Sequence, residues 1–175
     1  MELLGGYFLF KDFENQNLWI VFVIIIVILC IGLLGGINGL KAIMHRPRYR
    51  LISTSEVPFH NWWQPCKDYK TWIEQLGTNS DNFKSFPSGH TAEAAIMMAP
   101  VTFLPLANRK YRNIQKYLYI GAFALILIVA FARILAAAHY LSDVSTGATI
   151  MLLLVVITNE VVMKIKLLQL SEVEQ

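Results

Sequence analysis

Apolar residues run without a charge from Leu18 to Leu40, "LWIVFVIIIVILCIGLLGGINGL". At about 1.5 Å per residue, a helix of this length exceeds the roughly 30 Å hydrocarbon thickness of a bilayer. The first predicted element is therefore a membrane helix at 18–40. Three further apolar stretches predict helices at 91–107, 117–138 and 143–163, the first of them short and carrying Glu93, Pro100 and Pro105. Lys41 to His90 is a polar and aromatic connection. Within it Tyr69, Trp72, Ile73 and Leu76 recur at helical spacing and Gly77 follows as a stop, which predicts a short amphipathic helix. The expected fold is an all-α integral membrane helical bundle with about four transmembrane helices. An outer loop covers 41–90, an interfacial segment 1–17 and a cytoplasmic tail 167–175, with the membrane domain spanning 18–166.

Composition agrees with this pattern: 55% of the residues are hydrophobic and the mean hydropathy is positive. The net charge of +3 is small and scattered, which excludes the basic surface that nucleic-acid binding needs. Arg109, Lys110, Arg112 and Lys116 occur together without an acid, so this loop is expected in the cytoplasm, with Lys164 and Lys166 on the same side. Four crossings then leave both termini inside a multi-pass cell-membrane protein and place 41–90 and 133–143 outside. The outer loop is itself rich in basic residues, against the simple charge rule. Glu2, Asp12 and Glu14 precede the first apolar run against a single Lys11, and no small-residue cleavage pattern follows, so that run is read as a retained helix. Cys30 in the first helix and Cys66 in the outer loop are not placed to form a bridge.

Three polar clusters lie at the outer ends of these helices. "KAIMHRPR" at Lys41–Arg48 follows the first helix, where basic residues also serve as ordinary interfacial anchors. "PSGH" at Pro87–His90 opens the second. Ser88 and Gly89 suit a helix cap, while His90 beside a helix N-terminus makes more sense next to an anion. "ARILAAAHYLSD" at Ala132–Asp143 brings His139 and Asp143 onto one face if it is helical, so that the carboxylate can hold one imidazole nitrogen and activate the other. The topology gathers Lys41, Arg48, Arg133, His90, His139 and Asp143 at one face. Cations for phosphate oxygens, an imidazole to attack and another to protonate a leaving oxygen make a site for phosphoryl transfer.

These segments resemble the signature of the type 2 phosphatidic acid phosphatase superfamily, membrane lipid phosphatases related to vanadium haloperoxidases. The family pattern is Lys, six residues and Arg-Pro; then Pro-Ser-Gly-His; then Ser-Arg, five residues, His, three residues and Asp. Lys41 and Arg48 match the first, Pro87 to His90 the second in full, and Arg133, His139 and Asp143 the third. The resemblance implies His139 as nucleophile, Asp143 as its orienting carboxylate and His90 as acid and then base. It also implies that Lys41, Arg48, Ser88, Gly89 and Arg133 bind the phosphate, with no metal and no cofactor. Tyr49 stands where the first motif has proline, and an Arg46-Pro47 pair two residues earlier makes Arg46 a rival for Arg48. Ala132 replaces the usual serine, and many bacterial relatives have six membrane helices rather than four.

The expected function is hydrolysis of a membrane lipid phosphate at the outer face, with undecaprenyl pyrophosphate, phosphatidylglycerol phosphate and phosphatidic acid as candidate substrates. A lipid phosphotransferase and a non-enzymatic lipid-binding protein are the alternatives. Trp62, Trp63 and Trp72 are expected either at the lipid or headgroup level, where indole is apolar in body and polar at one edge, or packing the loop onto the bundle. Glu93 is read as a helix-start acid, His45 as a solvated or headgroup-contacting residue and His60 as a loop residue.

Overall fold

The computed structural model describes residues 16–107 and 109–173, and among these every regular element is helical. Helix α1 (Gln16–Ile31), a wide π turn (Gly32–Ile37) and α2 (Asn38–Met44) follow one another without a break. The connection from α2 to the next bundle helix contains α3 (Tyr49–Ile52), α4 (Tyr69–Leu76) and a 3₁₀ turn (Ser80–Phe83). Then come α5 (Gly89–Ile96), α6 (Met98–Ala107), α7 (Gln115–Leu135) and α8 (Leu141–Val173). The loop helix ends at Gly77, whose left-handed φ of 57° is the conformation a glycine stop supplies. Of the segment expected to lie at the interface, residues 1–15 are outside the described ones. Much of the expected tail continues α8.

Among the described residues three helical stretches are long and apolar enough to cross a membrane: within Ile25–Ile52, over Gln115–Leu135 and over Leu141–Val162. The fourth expected crossing, 91–107, is instead two helices of 8 and 10 residues meeting at Met97. Pro100 has no N–H to offer the carbonyl of Ile96. Just before it, the Met97 N–H turns back to Ala94 at 3.2 Å in a tighter turn.

The expected helix 117–138 also stops early, at Leu135. Ala137 adopts a left-handed φ of 52°, its N–H bonding Ile134 at 2.9 Å while that of Ala138 bonds Arg133 at 3.2 Å. This is the Schellman closure that usually employs glycine. With alanine there, the sequence carries no visible stop.

The core runs along α8, where Val144, Gly147, Met151, Val155, Thr158 and Val162 are buried at intervals of three and four residues. Against it lies α5, whose buried face is Gly89, Thr91, Ala92, Ala94 and Ala95. Small side chains let two backbones approach closely, which is how helices pack where lipid removes the hydrophobic drive between them. Helix α7 buries only Ile126 and turns Ile120, Phe123, Ile128 and Phe131 outward, a surface suited to hydrocarbon. The loop between α2 and α5 has a small core of its own, Leu51, Val57, Cys66 and Phe83, packed by Tyr69, Trp72 and Ile73.

Candidate active site

Three stretches of irregular backbone are stitched together at one end of the bundle. The Ser85 N–H bonds the Arg46 carbonyl at 3.0 Å, Arg48 N–H bonds Asn82 at 2.8 Å, Arg50 N–H bonds Ala137 at 2.9 Å, and Ser88 N–H bonds Asp143 at 2.9 Å. Residues far apart in sequence are thereby held at fixed spacing by main chain rather than by mobile side chains. Gly147 makes the last of these approaches possible, since a Cβ on it would lie 2.3 Å from the Ser88 carbonyl oxygen.

His139 is buried, and its Nδ1 lies 2.7 Å from the Ser85 carbonyl oxygen. A carbonyl only accepts, so Nδ1 donates and the neutral ring keeps its lone pair on Nε2. Here the structure corrects the expected pairing. Asp143 Oδ2 is 3.7 Å from Nδ1, too far for a hydrogen bond, so the tautomer is set by Ser85 and the carboxylate acts through its charge. The reason is that the segment before Leu141 is not helical, so His139 and Asp143 do not share a helix face. Asp143 is fully buried and satisfied otherwise: Oδ2 accepts from the Ser85 hydroxyl and, at 3.0 Å, from the Tyr140 N–H, while Oδ1 meets the Arg46 guanidinium.

Arg133 rises from the last turn of α7, and its Nε is buried without a hydrogen-bond partner. A buried donor left open is costly unless an acceptor arrives. Arg48 is half-buried, its Nε given to the Asp81 carbonyl at 2.8 Å, and it lies near enough to Arg133 for the two charges to act on each other. Lys41 is in the same field, and a Cβ on Gly89 would lie 2.9 Å from its Nζ. Ser88 performs the cap anticipated for it, accepting the Thr91 N–H at 3.4 Å at the start of α5. His90 stands exposed on the first turn; burial of part of its surroundings and then the nearby Arg133 hold its imidazole below the usual histidine value. Lys41, Arg48, Ser88, Gly89, His90, Arg133, His139 and Asp143 are thus gathered at one end of the bundle. Among the described residues, no group of three or more His, Cys, Asp or Glu could hold a metal ion.

Other expectations change. Arg46, the rival for Arg48, is buried against Asp143 and gives Nε to the His60 carbonyl at 2.8 Å. Trp62 and Trp63 are exposed beside the site, the Trp62 and Phe86 ring centroids 5.9 Å apart, whereas Trp72 is half-buried and packs against the loop core. His45 is half-buried and stacks on Tyr69 with centroids 3.6 Å apart. Ser85 escaped sequence reasoning because its backbone carbonyl does the orienting, and a carbonyl has no sequence signal.

Residues 16–166 match the PAP2 superfamily profile. The chain belongs to the PAP2 superfamily. This supports phosphatase activity on phosphate esters. No curated protein and no solved structure matches the chain. The PAP2 match runs from the start of α1 into α8 and so includes all three polar clusters.

Proposed function

We propose that this PAP2 protein is a membrane lipid phosphatase that works through a phosphohistidine on His139 at the outer face of the cell membrane. The observation that carries this reading is His139 itself: Nδ1 is committed to the Ser85 carbonyl, so Nε2 is the free nucleophilic nitrogen, beside three cations and an open Arg133 N–H. In the first step Nε2 attacks phosphorus; the P–N bond forms as the P–O bond to the lipid breaks, and His90 gives its proton to the leaving oxygen. In the second, His90 takes a proton from water, whose oxygen displaces His139 and releases inorganic phosphate. Lys41, Arg48, Arg133 and the backbone N–H of Gly89 hold the nonbridging oxygens as charge gathers on them. The exposed Phe59, Trp62 and Trp63 supply an apolar rim for the lipid body.

Phosphate release from a panel of lipid monophosphates and diphosphates in liposomes, with chelator present, tests this. His139→Ala is expected to lower turnover on the order of 10³-fold or more, as loss of a nucleophile does. Full activity in that variant, or a wild type silenced by chelator, would overturn the mechanism. An added acceptor alcohol separates hydrolysis from transfer.

A further inference from the structure

We propose that Arg46 is a positioning residue, fixing Asp143 behind His139 and tying that carboxylate to the outer loop. The inference rests on the phosphatase reading above. Arg46 is only 2% exposed although it carries a permanent charge. Its Nη1 meets both Asp143 Oδ1 and, at 2.8 Å, the Ser142 hydroxyl, while Nε reaches the His60 carbonyl at 2.8 Å. The guanidinium lies 4.1 Å from the Tyr140 ring centroid and 5.4 Å from that of Phe59. Every contact therefore points into protein, and the cation is matched by a carboxylate instead of being held open for phosphate.

The contacts form one chain. The His60 carbonyl holds Arg46, Arg46 holds Asp143, Asp143 accepts the Ser85 hydroxyl, and the Ser85 carbonyl accepts His139 Nδ1. Removing one partner of a buried ion pair leaves the other charge uncompensated, and the group moves or takes up a proton. Either response weakens the hold of the carboxylate on the Ser85 hydroxyl, and with it the aim of the ring that decides the attack. Lysine cannot substitute fully, because one ammonium does not reproduce a planar fork reaching three acceptors on two segments. The same chain gives the loop of Phe59, Trp62 and Trp63 a mechanical link to the nucleophile through His60.

The test compares Arg46→Met, Arg46→Lys, Asp143→Asn and the double variant Arg46→Met/Asp143→Asn in the full chain, on a lipid phosphate in liposomes. Arg46→Met is expected to lower kcat about 10²-fold, the cost of a misplaced reacting group, with KM unchanged within about threefold. Arg46→Lys should fall between it and wild type. In the Asp143→Asn background, Arg46→Met should cost less than about threefold, because the two residues act as one unit. Arg133→Gln, by contrast, should raise KM. Equilibrium binding gives a readout independent of turnover: inorganic phosphate, held by the cations, should bind Arg46→Met within about twofold of wild type. Orthovanadate, which also bonds the attacking nitrogen, should bind it about tenfold or more weakly.

Unchanged kcat in Arg46→Met, a KM rise like that of Arg133→Gln, or an undiminished cost in the Asp143→Asn background would each overturn the inference while leaving the phosphatase reading intact. If Arg46→Met does not fold, Arg46→Lys carries the same comparison, and wild-type kcat in it sinks the proposal. A wild type that releases no phosphate from any lipid and binds neither anion would overturn both.

Discussion

His90 and His139 are the same residue type in opposite circumstances. His139 is buried with one nitrogen committed to a carbonyl, whereas His90 is exposed beside a cation. An acid must hold its proton to work, and burial together with Arg133 pushes the His90 imidazole below its ordinary value of about 6.5. The sign follows: in the free enzyme the protonated form is lost on the acid side of that value, so kcat/KM should fall as pH rises through it. Arg133→Gln removes a charge that depresses His90, so the falling limb should move to higher pH even as the overall rate drops. A limb that stays put or moves lower in a kcat/KM profile would show that His90 is not the acid. The spacing of charged residues in the sequence was enough to pick out the groups that gather here, because those groups act through side chains. It could not separate Arg46 from Arg48, since burial against Asp143 is what distinguishes them, nor point to Ser85, which acts through main chain.

Among the elements, the long uniform ones were readable and the breaks were not. Gln115–Leu135 and Leu141–Val162 declare themselves by hydropathy. The end of α7 did not, because Ala137 occupies the left-handed position without the glycine that would have marked it. The prolines near α6 were visible, yet their consequence, a break at Met97, depends on which carbonyl loses its donor. One glycine without a motif has a defined task. Gly147 lets α8 pass the Ser88 backbone, and a methyl group there would meet a carbonyl that is itself pinned at the start of α5. Gly147→Ala is expected to cost about 1–3 kcal/mol, as overpacking does, and to lower activity by displacing the Ser88–Gly89 turn. Unfolding in detergent, measured beside turnover, checks this; wild-type stability and rate together would refute the close approach.

For the whole molecule, sidedness turns on the broken pair α5–α6. If it traverses the bilayer as a unit, the chain ends share a side; if it does not, they face opposite compartments. The proposed orientation places α4 outside. The native Cys66 thiol is buried, with burial raising its pKa, so an impermeant thiol reagent should leave it unlabelled. Gln75→Cys, on an exposed position of α4, should label from outside in intact cells. Labelling only after permeabilisation would invert the orientation.

The wide turn at Gly32–Ile37 bears on the site from within the bilayer. A π turn accommodates one residue more than an α turn, and one residue is worth about 100° of rotation. Ile25 and Leu29 above it, and Ile37 and Met44 at and beyond it, are all buried; an unbroken α pitch would spread those four over an arc of about 120°, and one extra residue in the turn narrows it to about 40°. The turn acts as a phase corrector between two halves of a rod. The upstream half is clocked by its contact with α8, and the downstream half by the need to bring Lys41 against Gly89. Each half can therefore drift in sequence without turning the other's working face away.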